Sequence, residues 1–537
     1  MSPVQIKQNS HLSHFLWLAV TLLWLGIAAV CRPLTLPDEG RYVGIAWEML
    51  TSGNWAIPHL DGLPYFHKPP LFYWITAASF KLFGPSLLAS RLASLLAAVL
   101  MAIALYWFTA RHLDKKTAVL AFVALVTQPF FFASAQFANL DMLVASMIAM
   151  TIMLAAEFTW SIEQGQPERK YLYMAMVFAA GGVLAKGLIG MVLPVLVVGG
   201  WLLVSRRLAS LKYFLWWPAL VLFFLMASPW FLCMESQFKG FLEYFFIHHH
   251  VQRFTGTHFN NQQPFWFYLP VLLALTLPAS LWLTRLRKHE VQRWSSRQQD
   301  VALLMVCWLA LILLFFSIPV SKPLGYIMPV LPAIAVLTAM GMRQAWQHRF
   351  PKRLWVTFLA AAVTCVIAMG MVIQHAQKTA SFLLATKVQP LVSKQDQLIL
   401  LNKYQFDLMF YLRLSHPAWM VADWRTAEYE VLDDSWEKEL IEAKHFDPQT
   451  AANQLLTESV LTQHVCQLGR KQAVWVAGDP GNANHLPMLA DIAPIATVRD
   501  HYLWRLSPAQ VSRFCAAATR PRQVITAAQS GRNKLVR

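Results

Sequence analysis

The 537-residue sequence predicts a polytopic α-helical membrane protein of about 11–13 spans with a C-terminal periplasmic α/β domain. Three observations lead there. Hydrophobic residues make up 57% and charged residues only 14%, against about 25% charged in soluble chains. Apolar runs near the length of a bilayer crossing recur up to residue 374, after which the composition turns polar. Finally, Lys and Arg collect on alternate loops between those runs, as the positive-inside rule requires. The net charge of +17 is therefore read as a topology signal and not as a nucleic-acid-binding surface. The 22 tryptophans suit aromatic belts at the water interfaces.

The runs centre near 13–31, 86–108, 117–134, 141–158, 172–185, 187–204, 214–233, 265–284, 301–318, 324–341 and 354–374. Run 13–31 is too long for a signal-peptide core and is read as a span. Run 172–185 is short, and Lys186-Gly187 reads as a tight turn. Basic residues flank the inner ends: Lys7, then Arg111, Lys115 and Lys116, then Arg169 and Lys170, then Arg206, Arg207 and Lys212. Arg285, Arg287, Lys288, Arg293 and Arg297 follow, and then Arg343, Arg349, Lys352 and Arg353. The opposite loops, 32–85, 135–140, the turn at 186, 234–264, 319–323 and 375–537, then face outward from a bacterial inner membrane.

Residues 1–375 read as the transmembrane part, with a long loop at 32–85, and 376–515 as a soluble α/β domain. Leu398–Leu401, Trp419–Ala422 and Ala473–Ala477 are short continuous apolar runs of the kind that form buried strands. The Arg-, Gln-, Ala- and Ser-rich stretch 516–537 reads as a disordered tail. Cys31, Cys233, Cys307 and Cys365 lie in or beside apolar runs and read as small core residues. Cys466 and Cys515 lie in the polar region. An oxidising compartment allows them to pair, and they are equally compatible with free thiols.

The outward loops hold the residues suited to chemistry. Asp38, Glu39, Arg41 and Tyr42 follow the first span directly. An acidic pair at a membrane boundary is costly unless partnered or functional, although Asp38 also suits a helix N-terminus. His67 and Lys68 sit between aromatics and Pro69-Pro70. A cation there suits a lipid phosphate or simply snorkels to the interface. Asp141 and Lys186 occupy the next outer turns. His248-His249-His250 and Arg253 lie in 234–264, and Lys322 and Tyr326 precede the tenth span. Adjacent histidines cannot all point into one site, so at most one or two are metal ligands. Singly these signals are weak. Acids and cations from separate segments that open on one side point to a phosphorylated or acidic substrate.

Certain stretches carry a family resemblance: Pro-Asp-Glu-Gly-Arg-Tyr at 37–42, Glu-Met-Leu-x-Ser-Gly-x-Trp at 48–55 and Tyr-Phe-His-Lys-Pro-Pro-Leu-x-Tyr-Trp at 65–74. Val-Gln-Arg-Phe at 251–254 and Ser-Lys-Pro-Leu-Gly-Tyr-Ile-Met-Pro at 321–329 join them. In these the chain resembles the bacterial members of the protein O-mannosyltransferase superfamily, which have the multi-span C-type glycosyltransferase fold. Within that group it resembles the lipid A aminoarabinose transferases. The resemblance implies an undecaprenyl-phosphate-linked sugar donor, a lipid A-type acceptor at the outer leaflet, inversion at the anomeric carbon and action as a monomer. It implies a catalytic role for Asp38, with Glu39 beside it. It implies phosphate binding by Arg41, Tyr42, Lys68, Lys186, Arg253, Lys322 and Tyr326, with Asp141 supporting the site. A divalent metal, zinc or magnesium, would draw on His67 and His250. The sequence departs from many such transferases in carrying His67 where they have Glu, which leaves the sugar open. A flippase or transporter of lipid-linked glycans, a scaffold, and a related transferase using another sugar or a protein acceptor are the competing readings. A transporter should show midplane polar residues in paired halves, and no internal repeat is visible.

Overall fold

The computed structural model describes residues 19–252, 262–286, 292–346, 350–376, 379–424, 435–468, 472–483, 485–489 and 491–518. Every apolar run identified above contains helix where described, although residues 27–31 form turns. Among the described residues, six helices are long and apolar enough to cross a membrane: Leu87–His112, Leu140–Glu163, Trp217–Gln237, Ser296–Ser317, Leu324–Arg343 and Lys352–Ala376. The number rises to 8 if two bent pairs, Lys115–Val126 with Pro129–Ala135 and Tyr268–Leu275 with Ala279–Arg285, each count as one span. Their bends are 66° and 109°, and Pro129 and Pro278 stand at the breaks. Proline lacks the N–H that would continue the helix and pushes the preceding residue out of the helical region. The remaining runs give the helical stretch 19–26, Arg169–Lys186 and the 16-residue helix Ile189–Val204. The last two form a tight hairpin through Gly187, whose φ is +87°. A Cβ at Gly190 would run into the backbone of Gly182, so the two helices approach as only glycine permits.

The bundle sorts its charges to its two ends. At one end Arg207 pairs with Asp300 at 2.7 Å and Glu163 at 2.6 Å, Arg343 with Asp114 at 3.2 Å, and His112 with Glu157 at 2.6 Å. These residues come from the loops with basic clusters. Arg32, Glu39, Arg91, Asp141 and Lys186 gather at the other end, among the loops predicted to face outward.

The first long loop folds onto that second end. Helix Asp38–Ser52 leads to a small antiparallel hairpin, β1 (His59–Leu60) and β2 (Leu63–Pro64), and then to the buried-faced helix Leu71–Phe83. The C-terminal region adds a six-stranded sheet in the order β5-β4-β3-β6-β8-β7. Its strands are β3 (Gln397–Leu401), β4 (Trp419–Val421), β5 (Leu455–Leu456), β6 (Val474–Gly478), β7 (Ala496–Val498) and β8 (His501–Leu506). β3 pairs in parallel with both β4 and β6, whereas β8 runs antiparallel to β6 and β7. The three apolar runs seen in the sequence are β3, β4 and β6. Strands covered on both faces lose the polar alternation and become continuous apolar runs. Cys466 and Cys515 form a disulfide that joins helices Glu458–Gln467 and Pro508–Ala518. The tail at 516–537 begins within that second helix, and its residues 519–537 lie outside the described residues.

The sheet region packs on the same end of the bundle as the first loop. The Leu34 N–H donates to the Tyr411 hydroxyl at 2.7 Å, and the Trp47 indole donates to the Leu414 carbonyl at 2.8 Å. The Tyr404 hydroxyl donates to Asp61 in the β1–β2 turn. The Asp38-Glu39 segment and the C-terminal sheet therefore share one end.

Candidate active site at the loop end of the bundle

Asp38 and Glu39 are neighbours in sequence and opposites in environment. Both begin helix Asp38–Ser52, where a negative charge meets the positive end of the helix dipole. The Asp38 side chain is 45% exposed and accepts one hydrogen bond, from Arg41 at 2.7 Å. Glu39 is fully buried. It accepts from Arg32 at 2.5 and 2.8 Å, from Arg91 at 2.9 and 3.2 Å, and from the Thr35 and Ala138 N–H groups at 2.8 Å each. Burial pushes the Glu39 carboxyl upward, but Arg91 and Arg32 outweigh it and hold the pKa at about 2. Glu39 has no lone pair to spare for a substrate. The pairing expected as catalytic thus divides: Asp38 is half-exposed, and Glu39 ties the loop to helix Leu87–His112 through Arg91 and to Ala138, just before helix Leu140–Glu163.

Arg41 lies between Asp38 and Glu439, which belongs to helix Trp436–Phe446 of the C-terminal region. Its guanidinium also stacks over the Phe406 ring at 5.5 Å. Tyr42 is buried, its ring edge-on to Phe72 at 6.1 Å. Burial raises the Tyr42 phenol well above its usual range, and both Asp38 and Asp141 add to the rise, so the phenol lies within the field of both carboxylates.

Asp141 and Lys186 form an ion pair, with Lys186 poised 4.8 Å from the centre of the Tyr326 ring. Asn139 caps helix Leu140–Glu163 and fixes the start from which Asp141 projects. Gly325 packs directly on the Asp141 carboxylate, which any Cβ there would strike. The Lys322 side chain is buried, and its ammonium donates to the Pro319 carbonyl. No carboxylate pairs with it among the described residues. Lys68 is half-buried at the entry to helix Leu71–Phe83. Arg253 and the side chain of His250 lie outside the described residues.

Of the expected metal pair, only the His67 side chain lies within the described residues. No group of three or more His, Cys, Asp or Glu side chains is arranged there to hold an ion. The His67 Nε2 instead faces the Glu442 carboxylate at 3.2 Å, and its ring stacks on Tyr65 at 4.8 Å. Burial lowers the His67 pKa to about 4 in spite of Glu442, so the imidazole is neutral near pH 7. The same carboxylate accepts from the Tyr244 hydroxyl at 2.6 Å. His67 and Tyr244 thus both meet a carboxylate of the C-terminal region.

Several residues of this end give little or no signal in the sequence. Arg32 and Arg91 are the fully buried partners of Glu39. Arg91 stands inside an apolar run, and an intramembrane arginine is itself a signal. Glu439 and Glu442 lie in a polar stretch that carries none. Tyr73 is buried, and its hydroxyl has no hydrogen-bond partner among the described residues. Burial raises its pKa well above the usual phenol range, with Tyr65 and Tyr42 contributing.

A helical bundle that carries a long folded loop and a terminal sheet region at one end is a fold this chain shares with solved structures. The structure superposes on ArnT from Cupriavidus metallidurans bound to undecaprenyl phosphate with a TM-score of 0.74, covering 91% of this chain and 97% of that one at 22% identity. The apo form gives 0.73 at 21% identity. Residues 67–232 match the family described as dolichyl-phosphate-mannose-protein mannosyltransferase. In sequence the chain is similar to the undecaprenyl phosphate-alpha-4-amino-4-deoxy-L-arabinose arabinosyl transferase of Aeromonas salmonicida, at 32% identity over 353 residues, covering 63% of each chain. The enzyme of the same name from Erwinia tasmaniensis is 33% identical over 314 residues, covering 57% of this chain and 55% of the relative. The matched segments thus span less than two thirds of these curated relatives.

Proposed function

We infer that this chain is an inverting glycosyltransferase that moves a sugar from an undecaprenyl-phosphate carrier to lipid A or a related outer-leaflet acceptor. The sugar is an amino sugar of the aminoarabinose type. Residues 1–375 act as the membrane unit and 376–515 as a periplasmic unit of a monomer in the bacterial inner membrane. The relatives named above support the donor and the sugar, and the fold likeness supports the architecture. The orientation draws on the basic loops at the opposite end and on the disulfide, which suits an oxidising compartment.

The observation that carries this reading is the half-exposed Asp38 carboxylate beside Arg41, at the end of the bundle that also holds Lys186, Tyr326 and Lys322. In the reaction the bond between the anomeric carbon and the carrier phosphate breaks, and an acceptor oxygen bonds to the opposite face of that carbon. A lipid A phosphate is already anionic, so Asp38 orients it or the sugar; a hydroxyl acceptor would hand its proton to Asp38 as general base. The departing polyprenyl phosphate gains charge, which fixed cations stabilise. Lys322 is the readiest of these, because among the described residues it has no carboxylate partner to surrender. Arg41 and Lys186 would exchange part of their pairing with Glu439 and Asp141 for the phosphate. Lys68 and Arg253 complete the proposed cationic set. No step is assigned to a metal.

Mass spectrometry of lipid A from cells with and without this gene tests the reading. A sugar-sized mass increment that needs the gene is expected, and lipid A of unchanged mass would overturn the acceptor assignment.

A further inference from the structure

We propose that the end of the bundle opposite the candidate active site carries a binding site for an anionic phospholipid. A cavity of about 530 Å³ opens there between helices Leu87–His112, Leu140–Glu163 and Arg169–Lys186. That volume falls in the range of sites that take small organic ligands. Its mouth is basic and its depth is apolar. Arg111, 57% exposed, donates to the Tyr171 hydroxyl at 3.0 Å, and the exposed Lys115 stands beside it on the rim.

Among the described residues Glu157 is the one carboxylate in the lining, and it is already held by His112 at 2.6 Å and Arg111 at 3.4 Å. The mouth therefore keeps positive charge. Along the helices away from the rim the lining is apolar: Ala104, the exposed Trp107, Met150, Met153 and Leu154. Seven residues of helix separate Arg111 from Ala104, or about 10 Å at 1.5 Å per residue. That depth fits a glycerol backbone and the first carbons of its acyl chains beneath a phosphate at the rim.

Any helix in a bilayer touches acyl chains. This place differs in being concave and in holding fixed cations at headgroup level, which is the arrangement that selects anionic over zwitterionic lipid. The charge on the rim is what commits the site to such a lipid. It lies outside the set of residues assigned to sugar transfer, so it stands whether or not that assignment holds.

The test uses the full-length protein in mild detergent. Native mass spectrometry counts adducts after titration with dioleoyl phosphatidylglycerol and, in parallel, dioleoyl phosphatidylcholine. Preferential retention of phosphatidylglycerol is expected, with a loss of about fivefold on removing each rim cation, Arg111→Gln or Lys115→Gln. Lys212→Gln, an exposed lysine outside the cavity, should leave the preference unchanged. Arg111 also contacts Glu157, so if that variant fails to accumulate, Lys115→Gln decides alone. Equal retention of the two lipids by the unaltered protein, or an unchanged preference in Lys115→Gln, overturns the proposal.

Discussion

Glu439 of the C-terminal region ion-pairs with Arg41 of the first outer loop, across 398 residues of sequence. Arg41 in turn holds Asp38 at 2.7 Å. A region with no evident reacting group of its own thus fixes the neighbour of the proposed catalytic carboxylate. Glu439→Gln should lower sugar transfer by about tenfold, because misplacing an aligned group by ~1 Å costs that much or more. Glu439→Asp should recover part of it. Initial rates in membranes from cells making each variant would show this. Full activity in Glu439→Gln would mean that the contact is incidental.

Asp38→Asn and Glu39→Gln should fail in different ways. Asp38 is half-exposed, so Asp38→Asn should leave yield and melting temperature intact while transfer falls by about 100-fold or more. Glu39→Gln leaves Arg32 and Arg91 buried without their counter-charge, which costs about 3–5 kcal/mol. Its signature is a loss of folded protein. Side-by-side melting curves and lipid A spectra separate the two, and a well-folded, inactive Glu39→Gln would reverse the two roles.

Gly325→Ala should disable the site without unfolding the bundle. The new methyl strikes the Asp141 carboxylate and drives it from Lys186. A loss of transfer of about 10- to 100-fold is expected, with near-normal accumulation. Unimpaired transfer would show that the Asp141–Lys186 geometry is dispensable.

The seam between the first loop and the C-terminal region should weaken as pH rises. Burial and the neighbouring Asp61 raise the Glu48 pKa to about 8, and burial raises that of Asp61 to about 6. Both lie above the ordinary carboxylate range, so between about pH 4 and pH 8 the folded protein binds more protons than the unfolded chain. Their contribution is complete below the unfolded pKa values and is lost as pH climbs through the folded ones. Melting temperature should therefore fall between about pH 4 and pH 8, and Glu48→Gln should flatten that slope. An identical slope in the variant would remove Glu48 from the explanation.

The disulfide between Cys466 and Cys515 closes a loop of 49 residues. Its removal by Cys466→Ser with Cys515→Ser should cost the C-terminal region about 2–4 kcal/mol. Limited proteolysis with and without reductant reads this out. In intact cells a membrane-impermeant maleimide should label neither cysteine until a reductant is added, and labelling before reduction would contradict the bond.

Some of this molecule was legible in the chain itself. Hydropathy located the helices because each must bury or present a long apolar surface, and basic residues marked alternate loops. The strands β3, β4 and β6 announced themselves as short apolar runs for a related reason, since both of their faces are covered. Asp38, Asp141, Lys186 and Tyr326 stood out because charge or a phenol at a membrane edge needs a purpose. Yet adjacency in sequence misled at Glu39, because one helical residue step turns a side chain by about 100° and puts neighbours in different environments. The partner of His67 was equally hidden. A histidine looks the same in sequence whether it meets a metal or Glu442.

Local patterns of polarity determined which segments cross the membrane and which loops lie together, because those depend on the solvent each residue meets. Which acid is open and which is sealed, and which cation is already neutralised, depended on side chains brought in from distant segments. Arg91, Glu439 and Gly325 exert their effects through contacts only a few ångströms long, and no spacing along the chain encodes those.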